Sequence, residues 1–103
     1  MGDAKLVWDQ SFQLTENFRV EVKVYEVEPT EKYPEGIKAR FVLIDMERNL
    51  ARLLVDNHAP FGFHIHTGLP EDKTTRVALN AKDFYEAFEE FISEAERIVK
   101  NEK

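Results

Sequence analysis

The sequence predicts an α+β fold: four to six mainly antiparallel strands with one C-terminal amphipathic helix packed on one face. Two patterns carry this expectation. Phe18, Val20, Val22 and Val24 alternate with Arg19, Glu21 and Lys23, the period of two that marks a half-buried strand rich in β-branched residues. At the other end Phe84, Phe88, Phe91, Ala95 and Ile98 recur every three or four residues, joined by Tyr85, Ile92 and Val99, and so form an apolar helical stripe wide enough to lie across a sheet. At 103 residues the chain is read as one domain over residues 1–103, long enough to bury a core.

The remaining elements follow in order. Leu6, Trp8, Phe12 and Leu14 stand among polar neighbours and suggest a first strand, with a break expected near Asp9 to Ser11. The second strand is expected to end near Glu28-Pro29, because PTEKYPEG carries two prolines and a glycine and suits an exposed connection. Ile37 to Ile44 resumes strand alternation: Ile37, Ala39, Phe41 and Leu43 share one face, and Lys38 and Arg40 begin the other before Val42 and Ile44 turn it apolar. The second half of this strand is therefore expected to be buried on both sides. Asp45 to Asn49 supplies turn residues and Leu50 to Asp56 a returning strand, an antiparallel hairpin. The histidine-bearing segment follows as a short strand, then a polar stretch from Pro70 through Thr75 and an extended piece from Arg76 to Leu79. Asn80 is read as the helix N-cap with Asp83 in the first turn. The glutamates Glu86, Glu89, Glu90, Glu94 and Glu96 are read as the solvated helix face.

Composition narrows the chemistry. There is no cysteine, which excludes disulfides, thiol nucleophiles and cysteine zinc sites and leaves His and carboxylates as the ligands for any metal. The charged fraction of 33% exceeds the usual level of about 25%, and abundant Glu, Lys and Arg resemble a thermophile composition. No apolar stretch is long enough to span a membrane, and the first residues lack a signal-peptide pattern, so a cytoplasmic protein is expected. The net charge of −6 disfavours non-specific attraction to a polyanion, but it leaves room for a local cationic patch at Lys38, Arg40 and Arg76.

All three histidines, His58, His64 and His66, fall within nine residues, beside Asp56 and Asn57. Histidine titrates near neutrality, at about pH 6.5 in its ordinary state, and serves as acid, base or metal ligand. On a strand, His64 and His66 project to one face, while Phe61, Phe63 and Ile65 point to the other. Three readings fit. His58, His64 and His66, with Asp56, can supply ligands to a divalent metal. Without a metal or other cofactor, one imidazole can accept and the other donate a proton in phosphodiester cleavage through a ribose 2′-hydroxyl, with Lys38, Arg40 or Arg76 stabilising phosphate charge. Alternatively, His58 and Asp56 belong to a turn, and His64 and His66 are ordinary polar residues of an exposed strand face. Gly62 and Gly68 would let a backbone or ligand approach closely. A single helix covering only part of the sheet, or an unpaired edge, favours a homodimer.

A strand, then YPEGIKARFVLI, the Asp56-Asn57 pair, His64-Ile65-His66 and a terminal amphipathic helix occur in that order, and over roughly Val20 to Val99 the chain resembles the TumE family of prokaryotic toxin–antitoxin proteins, a family frequent in archaea. Its most specific parts are Pro34-Glu35-Gly36-Ile37-Lys38 and the Asp56-Asn57 to His66 run. The chain departs from the family at Phe63, where relatives often carry another histidine, and at Ala39, where they carry an aromatic residue. The resemblance implies a helix-turn-helix antitoxin partner and suggests an RNA-directed toxin. On this reading His64 and His66 form the acid–base or substrate-contacting pair, Asp56 orients a histidine and His58 assists. Lys38 contacts phosphate, with Arg40, Arg76 and Asn57 as further substrate contacts. The alternative is a non-catalytic homodimeric binding module whose histidines hold a metal or small ligand.

Overall fold

The computed structural model describes residues 4–57, 62–67, 69 and 76–101. Strand alternation produces an antiparallel meander of six strands, in the sheet order β1 (Lys5–Gln13), β2 (Phe18–Glu26), β3 (Ile37–Asp45), β4 (Leu50–Asp56), β5 (His64–His66) and β6 (Val77–Ala78). One helix, α1 (Phe84–Asn101), packs on the sheet. The inward residues of β2, Phe18, Val20, Val22 and Val24, meet Ala39, Phe41 and Leu43 of β3, Leu53 and Val55 of β4 and Ile65 of β5 beneath Ala87, Phe91 and Ala95 of the helix. Aromatic side chains fill the space between the layers: Phe41 lies 5.5 Å from Phe88 and 5.7 Å from Phe91, and Trp8 lies 4.9 Å from Phe88, centroid to centroid. Such edge and tilted contacts suit the ring quadrupole.

Three local expectations are corrected. The first strand is continuous through Asp9 to Ser11, and its irregularity falls between Leu6 and Trp8. This shift keeps Trp8 and Phe12 turned toward the core. The helix cap is Asp83 rather than Asn80. Asp83 Oδ1 accepts the Glu86 N–H at 3.0 Å, and Glu86 Oε1 accepts the Lys82 N–H at 3.0 Å. The Asp83 carboxylate thus caps a first-turn N–H and the Glu86 carboxylate reaches back to the N–H just before the cap, a variant of the capping box. Tyr85, assigned to the apolar stripe, is 63% exposed. Val42 is buried on the face away from the helix, as the pattern of β3 predicts.

The two hairpin ends are fastened together. Asp45, 2% exposed, accepts hydrogen bonds from Asn17 Nδ2 at 3.0 Å and the Arg48 backbone at 3.1 Å, while Asn17 Oδ1 accepts the Glu47 N–H at 2.9 Å. Burial pushes the Asp45 carboxyl up, but these hydrogen bonds and the Arg48 charge more than offset it and hold the group below its ordinary value. Ionised Asp45 therefore adds stability above the unfolded carboxyl pKa, about 3.9, and this contribution is lost as pH falls through the lower folded value. Urea titrations of wild type and Asp45→Asn are expected to differ at neutral pH and to converge under acid. A constant difference would contradict the assignment.

Gly36 closes the connection into β3. Its φ is +74°, and a Cβ there would lie 2.9 Å from the Val27 carbonyl oxygen, so the glycine of the YPEG segment is a backbone requirement.

Candidate functional site

The helix covers one sheet face, and the side chains that alternate away from it form the other. Cross-strand register brings residues from all six strands into one row on this face: Asp9 opposite Lys23, Lys23 opposite Arg40, Arg40 opposite Asp56, Asp56 opposite His64, and His64 opposite Ala78. The next row runs Glu21, Val42, Leu54 and His66. The register thus places Arg40 and Asp56 with the histidines, a relation that separated segments of sequence do not disclose.

His64 and His66 share a face, but they are buried rather than exposed, at 1% and 8% exposure. Their rings meet edge-on with centroids 5.1 Å apart. His64 Nδ1 lies 2.8 Å from the Gly62 carbonyl oxygen. Because a carbonyl only accepts, this nitrogen carries the proton, and the bond fixes the ring's orientation. His66 Nδ1 is buried and makes no hydrogen bond among the described residues, an uncommitted polar atom of the kind that functional sites retain. Ile65 lies between them in the chain and faces the core, where Phe63 also packs. His58, Phe61 and Gly68, and the segment from Pro70 through Thr75, lie outside the described residues.

Asp56 is half-buried and accepts the Asn57 N–H at 2.7 Å. Asn57 is committed elsewhere: its Oδ1 accepts the buried Ala39 N–H at 3.0 Å and its Nδ2 donates to the Ile37 carbonyl at 2.8 Å. As β4 ends, the Asn57 amide continues the pairing of β3 in place of backbone. Its geometry is that of a clamp holding the strand that carries Lys38 and Arg40. Asn57→Ala would leave both groups without these bonds, and a loss of about 2–4 kcal/mol in unfolding free energy is expected from urea titration. Asn57→Asp, which keeps an acceptor but loses the donor, is expected to cost less than the alanine variant at low pH, where the acid is protonated and can donate.

Lys38 and Arg40 are exposed on the open face. Lys38 Nζ stands 5.9 Å from the Tyr33 ring centroid, and Lys32 Nζ stands 5.7 Å from the same centroid. Burial raises the Tyr33 phenol above its ordinary pKa, and the negative charge of Asp56 raises it further. Tyr33 thus belongs beside Asp56 and Lys38, although its sequence position, inside a proline-rich connection, marks it only as a turn residue. Arg76 is exposed immediately before β6.

Among the described residues no group of three or more His, Asp or Glu side chains is arranged to hold a metal ion, and the ligand set His58, His64 and His66 falls partly outside them. The glutamates of α1 are solvated in the main, but Glu90 Oε2 is buried without a hydrogen bond among the described residues. A cavity of 320 Å³ lined by Ile37, Asn57, Gly62, Phe63 and Phe84 lies near the helix N-terminus, and neither His64 nor His66 lines it. Among the described residues no helix is long and apolar enough to cross a membrane.

Comparison with family models, with curated proteins and with solved structures finds no match in any of the three.

Proposed function

We propose that this chain is a TumE-like toxin of a toxin–antitoxin pair that cleaves RNA through the histidines of β5. The observation that carries this reading is the cross-strand row in which Arg40, Asp56 and His64 are successive neighbours, with the His66 ring 5.1 Å from that of His64. A cation for phosphate, a carboxylate and two imidazoles are the parts that cleavage through a 2′-hydroxyl needs. The order of motifs from YPEG to the terminal helix supports the family reading.

In the proposed reaction one imidazole takes the proton of the ribose 2′-hydroxyl as its oxygen attacks phosphorus. The second imidazole gives a proton to the departing 5′-oxygen. A P–O2′ bond forms, the P–O5′ bond breaks, and the products are a 2′,3′-cyclic phosphate and a 5′-hydroxyl. His66, with its uncommitted Nδ1 and the greater exposure, is assigned as one of the two proton-transferring imidazoles, and His64, its ring oriented by Gly62, as the other. Asp56 stabilises the imidazolium, Lys38 and Arg40 bind the phosphate, and Asn57 positions their strand. His58 and Arg76 are auxiliary in this assignment. The proposal includes a helix-turn-helix antitoxin, a homodimeric state and a cytoplasmic setting.

The test is incubation of tag-free protein with total cellular RNA, with and without chelator. Acid–base cleavage by histidines predicts fragments in both conditions. A second reading rests on the bond from His64 Nδ1–H to the Gly62 carbonyl, because the same outer bond orients a metal-ligating imidazole. A non-catalytic module of this kind would retain zinc or manganese through dialysis and leave RNA intact.

A further inference from the structure

The open sheet face carries a cation that the histidine chemistry does not use, Lys23, beside one that it does, Arg40. Lys23 and Arg40 are directly opposite each other on β2 and β3, an arrangement of like charges that destabilises a sheet unless an anion lies between them. Both are exposed, and neither forms an ion pair among the described residues. Glu21 is engaged by Arg19 at 3.4 Å, and Asp9 stands opposite Lys23 and Asp56 opposite Arg40, so each cation has one carboxylate across the strand on its outer side and the like charge on its inner side. The two cations themselves line a recess of 360 Å³, together with Glu21, Val42, Ile44 and Ala51. At the far end of β3, Tyr33 offers a half-buried ring with two lysine ammonium groups near it. Cationic side chains, a recess with an aliphatic floor of Val42, Ile44 and Ala51 and an aromatic ring on one face match the chemistry of a single strand, whose phosphates take the charge and whose bases stack. The glutamates of α1 are carried on the other layer.

We propose that the open face is a single-stranded RNA track in which Lys23 and Arg40 clasp one phosphate, a base enters the Val42–Ala51 recess and Tyr33 stacks a second base. The track leads across β3 and β4 to the histidines of β5, about 14 Å from β2 at ordinary strand spacing. It rests on the reading of this protein as RNA-directed. Lys23 and Tyr33 are its new contacts, and neither takes part in proton transfer.

The experiment measures fluorescence anisotropy of a 2′-O-methyl oligouridine, which binds without being cleaved, on wild type, Lys23→Glu, Lys23→Gln and Tyr33→Ala, with Glu89→Gln on the helix as control and circular dichroism to check each fold. Lys23→Glu and Tyr33→Ala are each expected to weaken binding by about tenfold or more. Lys23→Gln is expected to lower the slope of log affinity against log salt by about 0.7, the value of one phosphate contact on a single strand. Glu89→Gln leaves binding unchanged. Unaltered affinity in the folded Lys23 and Tyr33 variants overturns the track, as does a Lys23→Glu variant that dissociates a homodimer while binding RNA normally. Failure of the track and failure of the cleavage reading are separable. Lys23-dependent binding of the uncleavable probe with no cleavage of ordinary RNA keeps the track and removes the catalysis. Cleavage with the same KM in wild type and Lys23→Gln does the reverse.

Discussion

Replacing His66 by alanine is expected to slow RNA cleavage by about 10²–10⁴-fold, the usual contribution of a positioned acid or base. His66 keeps 8% exposure and a buried Nδ1 with no hydrogen bond among the described residues, so its removal deletes a proton carrier and no hydrogen bond at that atom. His64→Ala is expected to differ in kind. His64 is among the largest fully buried side chains, and its loss opens a cavity and removes the bond to Gly62, so both activity and thermal stability should fall. His66→Gln, which approximates the volume and hydrogen-bonding capacity without the titration, provides the decisive control. Full activity in a folded His66→Gln protein would remove His66 from the chemistry, whereas activity lost with the melting temperature retained would place it there.

Phe41→Ala is expected to be the most damaging substitution to the fold, at about 3–5 kcal/mol. Phe41 is fully buried at the centre of β3, with Trp8 at 6.1 Å, Phe88 at 5.5 Å and Phe91 at 5.7 Å. It therefore joins the edge strand, the central sheet and the helix through one side chain. Loss of its ring removes dispersion contacts from all three and leaves a void that close-packed neighbours cannot fill completely. In urea the midpoint should fall with little change in slope. By comparison, Glu89→Ala on the exposed helix face should shift stability by no more than about 0.5 kcal/mol. A Phe41→Ala protein within 1 kcal/mol of wild type, by the scale of ordinary surface changes, would contradict this picture of the core.

The sheet and helix were legible because their signals are local. Val20, Val22 and Val24 alternate strictly, and Phe84, Phe88, Phe91 and Ala95 repeat at helical spacing, so each segment reports its own period and buried side. The site was legible only as a list of residues. Counted from the Ile44–Ala51 pair without interruption, the hairpin would set Arg40 opposite Val55. An irregularity between Leu43 and Ile44, which leaves Arg52 outside the pairing, moves Arg40 opposite Asp56 instead. A one-residue shift of this kind changes which side chains become neighbours, and nothing in the composition of β4 announces it. The burial of His64 and His66 was hidden for a related reason, since alternation tells which face a side chain takes but not whether that face is covered. Asn57 reads in sequence as a turn former or substrate contact, whereas its side chain is bound to the backbone of a strand about twenty residues earlier. Tyr33 was missed because its partners, Lys38 and Asp56, come together only through the register of β3 and β4.

The central claim is that the histidines of β5 cleave RNA through its own 2′-hydroxyl, and the most direct measurement uses a single-stranded oligonucleotide with a mapped cleavage position. The oligonucleotide is compared with a copy carrying one 2′-deoxynucleotide on the 5′ side of that position, and the product ends are identified by mass spectrometry. The account predicts a 2′,3′-cyclic phosphate from the ordinary strand and no cut at the deoxy position. Cleavage that proceeds equally across the deoxynucleotide, or an ordinary strand left intact by folded protein, would contradict it.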